Sequence, residues 1–383
     1  MNQDEDTRKI WMFAIFSFVI MDGILMQMRG SVLPEIQETF GVSESLLGLV
    51  APAFTVSLLI ALLLVGMRTG TLNIKKFLML SIAITGGFTF LIGTSFAFPL
   101  LLILIVGRGV GTGIFRGLDR PVLSHLFPEN RGWTFNMHTL AWAVGATSGP
   151  MLAILFLKYT DWRTIYLSIS LGFLPIILLF WKIDLPTDSI YEKPIHLDTL
   201  KDMFKNRAIL GMMAILFLNG GIEGGFFTWL PYFANEFLSR SFSNLALTGF
   251  LAGYIPGRYI YGRLSQRYDY TRIVLVNAIS VSILIFLAFF VADGVWRLPF
   301  IFACGFPISG IFPTMLAMGT DIFPQFSGPM NAIGMGAGMI GISIIPWIMG
   351  VIADFYTVTT AMRFMLAPAL VVILATLIMR ELV

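Results

Sequence analysis

Apolar runs of roughly 20 residues, the length a helix needs to cross a bilayer core, recur along the whole chain. Short breaks rich in glycine, proline and charge separate them. The pattern predicts spans near 10–33, 44–66, 75–96, 99–124, 134–157, 163–182, 208–232, 242–262, 272–292, 298–320, 327–352 and 358–380. The longest polar stretch, 183–206 (IDLPTDSIYEKPIHLDTLKDMFKN), follows the sixth span and reads as a linker. The expected fold is therefore an all-α membrane protein of 12 transmembrane helices. An N-terminal six-helix bundle over 1–182 precedes the linker, and a C-terminal six-helix bundle occupies 207–383.

Composition excludes a soluble domain. Of the 383 residues, 57% are hydrophobic and 12% charged, against about 25% charged in soluble domains. The location of the cations orients the chain. With the N-terminus inside, fifteen Lys and Arg flank the spans on the cytoplasmic side, against five on the other (Lys158, Arg163, Arg240, Arg297 and Arg363). The positive-inside rule then places both termini in the cytoplasm and the protein in the cytoplasmic membrane. The first run contains Asp22 and Arg29 and no small-residue cleavage site follows it, so it reads as a retained span rather than a cleaved signal. Cys304 is the single cysteine, and His125, His138 and His196 are widely spaced. No metal site, disulfide or cofactor is expected from them.

The two halves resemble copies of one another. A shift of 196 pairs FPENRG (127–132) with FPQFSG (323–328), Gly145 with Gly341, Pro150 with Pro346, Gly66 with Gly262 and Lys76 with Arg272. A shift of 197 pairs VLPEIQETF (32–40) with WLPYFANEF (229–237). Internal repeats of this kind build transporter folds, so the two bundles are expected to be pseudo-symmetric.

Several segments carry a family resemblance over nearly the whole chain. The loops GMRTGTLNIKK and GRLSQRYDYTR resemble the Gly-then-basic loop of the major facilitator superfamily, with Gly70 and Gln266 where an aspartate is usual. GATSGP (145–150) is similar to a helix frequent in that superfamily's exporters. LPEIQETFGVS, GGIEGGFFTWLPYF, GFLAGYIPGRYIYGRLSQR, IFPTMLAMGTDIFP and GMIGISIIPWIMGVIAD resemble the fucose:proton symporter branch of sugar transporters. The resemblance implies the major facilitator fold and proton-coupled symport of a small polar solute, often a sugar, by alternating access of two halves about a central site. Two positions depart from the branch. Arg29-Gly30 stands where its proton symporters carry a carboxylate in span one, and Arg116 stands where they carry one in span four.

Charges inside the spans are the candidate chemistry, because each costs about 2.5–3.5 kcal/mol at a helix centre facing lipid. Asp22, Arg29, Arg116, Asp119 and Arg120 must face one another or water. Arg108, Arg116, Asp119 and Arg120 share a sector of roughly 120° of span four, at about 100° per residue. Arg29, Arg116 and Arg120 are candidates for substrate contact, since guanidinium forks grip carboxylates and phosphates and donate to sugar hydroxyls. The alternative is that Arg29 or Arg116 forms a permanent ion pair with Asp22 or Asp119; for Asp119 and Arg120, near the cytoplasmic end, snorkelling or structural pairing is the equal alternative. Arg258 reads as a helix-end or loop-gating residue. Asp22, Asp119 and Glu223 are the candidates for proton coupling, because desolvation favours a neutral carboxyl. Glu223 is equally a candidate salt-bridge partner. Four glycines flank it in LNGGIEGGFF (218–227), so span seven is expected to unwind or kink there. Asn219, Trp229 and Asn331 offer hydrogen bonds and a stacking face to the solute, with interface anchoring the alternative for Trp229. Gly109, Gly113 and Gly117 form a small-residue ridge for close helix packing. Counting Asp22, Asp119 and Glu223 against Arg29, Arg108, Arg116 and Arg120 leaves one excess positive charge, which favours an anionic guest.

No nucleophile–base pair or metal cluster argues for an enzyme, and a non-transporting receptor would bind ligand without flux. The expected partners are a small-molecule substrate, protons as coupling ion and membrane lipids. No nucleic acid is expected, and the chain is expected to act as a monomer. Secondary uptake of a sugar-like or organic-anion solute competes with proton-driven efflux of drugs or metabolites.

Overall fold

The computed structural model describes residues 2–42, 44–47, 49–184, 197–238 and 240–381. Residues 185–196 of the expected linker, with Lys193 and His196, lie outside them. Among the described residues all regular structure is helical: α1 (Asn2–Phe40), α2 (Glu44–Leu47), α3 (Val50–Gly66), α4 (Ile74–Gly93), α5 (Phe98–Leu126), α6 (Arg131–Leu157), α7 (Trp162–Leu171) and α8 (Phe173–Lys182). The chain continues through α9 (Leu197–Lys205), α10 (Arg207–Ala234), α11 (Arg240–Ala252), α12 (Tyr254–Leu264), α13 (Tyr270–Phe286), α14 (Arg297–Ile322), α15 (Ser327–Phe355), α16 (Val358–Phe364) and α17 (Leu366–Arg380). Among the described residues, ten helical segments are long and apolar enough to cross a membrane. The other two expected spans are the shorter α3 and the pair α11–α12.

Proline accounts for three of the interruptions. A proline has no N–H for the carbonyl four residues earlier, and its ring crowds that carbonyl. α7 ends at Leu171, α11 at Ala252 and α16 at Phe364; Pro175, Pro256 and Pro368 stand four residues on in each case. Side chains close the helix starts where polar residues are available. Asn73 accepts from the Lys76 N–H, Asn206 from those of Ala208 and Ile209, and Asp161 from that of Thr164. The Thr164 bonds hold the Asp161 carboxyl below its usual range.

Contacts divide the chain into two compact units. One comprises 1–128, 141–195 and 325–332; the other comprises 129–140, 196–324 and 333–383. Segments 129–140 and 325–332, which begin at stretches paired by the 196-residue shift, each fall in the unit opposite to their sequence neighbours.

In the first unit α5 is the most enclosed helix, and its glycines explain how. A β-carbon on Gly109 would overlap the Ser57 hydroxyl, and one on Gly113 would overlap the Leu58 carbonyl oxygen. One on Gly117 would lie 3.2 Å from the Leu62 carbonyl oxygen. The ridge therefore carries α5 onto the backbone of α3, as its spacing predicts. Phe115 stacks on Phe18 of α1 with ring centres 3.6 Å apart. Gly145 and Gly149, in the GATSGP segment, bring α6 against the backbone of α1 at Ile20 and Ile24. Gly113→Val is accordingly expected to lose about 1–3 kcal/mol by overpacking. Gly30 has nothing within 4 Å of a built β-carbon, so Gly30→Ala is the control that should stay within about 0.5 kcal/mol. Thermal unfolding in detergent measures both.

The second unit corrects the expectation that span seven unwinds. α10 runs unbroken from Arg207 to Ala234, through all four glycines. A β-carbon on Gly220 would overlap the Gly338 carbonyl oxygen, and one on Gly224 would lie 2.7 Å from that of Ile342. These glycines admit the backbone of α15 and leave the helix intact. Phe226 on the same helix stacks on Phe250 of α11, with ring centres 4.5 Å apart.

Candidate functional site

Helix α5 places a row of charged groups against α1. Arg116 donates from Nη2 to Asp22 Oδ2 at 2.6 Å. Arg108, two turns earlier, brings its Nη2 within 3.7 Å of Asp22 Oδ1. All three side chains are buried, Asp22 to 1% exposure, Arg108 to 4% and Arg116 to 7%. The Arg108 guanidinium also lies 4.6 Å from the centre of the Phe54 ring on α3, a cation–π arrangement. Two arginines thus share one carboxylate. For Arg116 the geometry is the ion-pair alternative, made with Asp22.

Arg29, seven residues after Asp22 on α1, is about 10 Å further along the axis at 1.5 Å per residue. It is half-buried and meets no carboxylate among the described residues. Arg108 and Tyr166, a buried residue of α7, lie within its electrostatic reach. The ion-pair alternative for Arg29 is therefore not what the structure contains.

Asp119 and Arg120 have a different setting. Asp119 Oδ1 accepts the backbone N–H of Arg120 at 2.6 Å. Arg120 donates from Nη1 to Asn331 Oδ1 at 3.4 Å, and Asn331 returns a bond from Nδ2 to the Arg116 carbonyl at 2.7 Å. Pro121 supplies no N–H to this turn of α5, and Asn331 ties the turn to the first residues of α15. Within the first unit Asn331 is thus a clamp on the α5 backbone.

In the second unit Glu223 is buried on α10. Tyr254, at the start of α12, donates its hydroxyl to Glu223 Oε1 at 3.2 Å. Arg258, one turn after Tyr254, lies over that ring at 4.8 Å and acts on Glu223 electrostatically. It also donates to the Thr139 carbonyl. Asn219 precedes Glu223 by one helical turn, is fully buried, and has its side-chain amide beside the Glu223 carboxylate. Trp229 behaves otherwise: its indole N–H donates to the Pro346 carbonyl at 3.0 Å, and its ring packs near Tyr232 and Gly350. That commitment ties Trp229 to α15 rather than leaving its N–H for a solute.

The structure therefore brings Asp22 together with Arg116, and Arg120 with Asn331, in the first unit, and places Asn219 beside Glu223 in the second. It adds Arg108 as a second partner of Asp22, and Tyr166, Tyr254 and Arg258 as further polar neighbours. Arg108 shares the charged sector of α5, which was its signal in the sequence. Tyr254 and Arg258 stand at i and i+4, on one face of the helix that Pro256 separates from α11. Tyr166 carries no such signal.

A membrane-embedded, all-helical chain with paired charges on its most enclosed helices has the make-up of a transporter. The sequence profile of the Major Facilitator Superfamily matches residues 13–238 and 231–382, and the chain belongs to that superfamily. It is a multi-pass membrane transporter with the major facilitator fold. It is similar to the glucose/mannose transporter GlcP of Bacillus subtilis, with 22% identity over 88% of this chain and 86% of that protein. A TsgA homolog of Yersinia enterocolitica shares 22% identity over 84% of this chain and 82% of its own. Among solved structures, the E. coli fucose:proton symporter FucP superposes with a TM-score of 0.83 at 17% identity, covering 97% of this chain and 99% of FucP. The proton:xylose symporter XylE follows with a TM-score of 0.78 at 14% identity, covering 99% of this chain and 96% of XylE.

Proposed function

We propose that this chain is a secondary active transporter that moves a small polar solute, sugar-like or an organic anion, across the cytoplasmic membrane by alternating access coupled to protons. The observation that carries the reading is the buried ion-paired cluster of Asp22, Arg108 and Arg116, placed where apolar side chains would be far less costly. A membrane helix retains charges of this kind for substrate or ion pathways. The sugar transporters GlcP, FucP and XylE support the solute class. Glu223 is the coupling group of the second half. In its charged form it has Tyr254, Arg258 and Asn219 as partners, while its burial favours the neutral form. Both states of a proton carrier are then within reach.

The working unit is a monomer of two six-helix halves, 1–182 and 207–383, with both termini in the cytoplasm, as the fifteen-to-five cation bias supports. Uptake is the favoured direction, as the likeness to the symporters FucP and XylE supports.

Purified protein in liposomes, given radiolabelled D-glucose or D-glucuronate, tests this reading. Under an imposed inside-alkaline gradient one of the two solutes is expected to accumulate above equilibrium, and a protonophore should collapse the accumulation. Uptake indifferent to the gradient would remove the coupling, and accumulation only under the opposite gradient would favour efflux.

A further inference from the structure

The charge balance of the first unit goes further than the class of transporter. Asp22 is one carboxylate; Arg108 and Arg116 bring two guanidiniums to it, and Arg29 adds a third within electrostatic reach of Arg108. Asp119 and Arg120 are adjacent and opposite in sign, so they leave this count unchanged. The cluster therefore carries two positive charges more than its own acid offsets. A buried charge without a counter-charge is strongly unfavourable, which is why buried ions are paired or bind a ligand.

The hydrogen bonds show where the excess sits. Arg116 is satisfied by its 2.6 Å bond to Asp22. Arg108 is not: it is 4% exposed, and its Nε and Nη2 are without a hydrogen-bond partner. Thr112, one turn further on the same face of α5, is fully buried with its hydroxyl also unpartnered. Arg29 lies within electrostatic reach of Arg108 and has no acid of its own among the described residues. Tyr166 adds a phenol within reach of both arginines. Two guanidiniums, a threonine hydroxyl and a phenol all donate hydrogen bonds, so the group that completes them is an acceptor bearing negative charge.

We propose that Arg29 and Arg108 form an oxyanion subsite, and that the transported solute is a small organic anion which places its carboxylate or phosphate there. This rests on the transporter reading above and narrows its substrate class from polar solutes in general to anions. Arg116 is excluded from the subsite because Asp22 holds it. Arg108, rather than Arg116, is then the arginine of α5 that selects the solute.

Binding to the full-length protein in detergent tests the assignment, with D-glucuronate, D-glucose 6-phosphate and D-glucose as probes, at constant chloride, read by thermal shift and tryptophan fluorescence. At least one of the two anions should bind tenfold or more tightly than glucose, and which of them does so identifies the carboxylate or the phosphate as the preferred group. Arg108→Gln should cut that preference at least tenfold. Because Arg108 pairs with Asp22, its variant also removes an ion pair, so Arg29→Gln is the companion. Arg29 has no ion pair to lose. The empty Arg29→Gln protein should melt no lower than the wild type, yet lose the preference for the anion. Glucose binding as tightly as both anions, no binding of any probe, or Arg29→Gln with the wild-type preference would each overturn the subsite. Transport of glucose alone would leave the transporter reading standing without the subsite. Anion binding without flux of any probe would leave the subsite standing and end the transporter reading.

Discussion

Asp22→Asn is expected to destabilise the protein by about 3–5 kcal/mol, the usual cost of removing one partner from a buried ion pair. Asparagine fills the same space, so the effect is one of charge. In the native first unit Asp22 is 1% exposed and lies 2.6 Å from one guanidinium and 3.7 Å from another. The neutral amide leaves both arginines buried without a counter-charge. A lower melting temperature in detergent and a lower yield of folded protein are the expected readouts. Adding Arg116→Gln to Asp22→Asn should recover part of the loss, because the double variant removes one of the stranded charges. Residues in contact typically show interaction energies of about 0.5–3 kcal/mol in such a cycle. A double variant no better than the single one would place the stabilising role of Asp22 elsewhere.

Glu223→Gln is expected to separate transport from coupling. Glutamine keeps the shape of the side chain and an oxygen to accept from the Tyr254 hydroxyl, now 3.2 Å away. It loses the ability to change charge, and with it the electrostatic pull on Arg258. α10 is continuous through this position and is fixed by its glycines against α15, so the substitution should leave the fold in place. Solute exchange between labelled and unlabelled pools, which requires no net proton movement, should persist. Accumulation driven by a proton gradient should fall to the equilibrium level. Loss of both activities would make Glu223 a structural partner of Arg258, and retention of both would remove it from coupling.

Much of the fold was legible because the bilayer leaves so few solutions. A backbone in lipid must satisfy its own hydrogen bonds, so each long apolar run is a helix. The runs at 99–124 and 327–352 reappear as Phe98–Leu126 and Ser327–Phe355. The glycines were harder to interpret. Gly113 and Gly220 look alike in a sequence, since a missing side chain does not say whether the helix yields or a neighbour enters. In both places a neighbour enters, and α10 stays whole. The charged residues of the site were legible from their cost in a membrane, but their pairing was not. Arg116 has Asp119 three residues away, yet its ion pair is with Asp22, 94 positions earlier. Arg258 reads as a helix-end cation and is 5% exposed, because α12 brings it over Tyr254 and onto the Thr139 carbonyl. Partners distant in sequence decide these cases.

Proton movement with the solute is the most direct test of coupled uptake. Protein is sealed into liposomes that hold a pH-sensitive dye, with no gradient imposed, and D-glucuronate or D-glucose is added outside. Coupled uptake predicts that the transported solute alone acidifies the lumen, and that a protein carrying Glu223→Gln gives no signal. A solute that enters with the lumen pH unchanged, or that binds without entering, would contradict it.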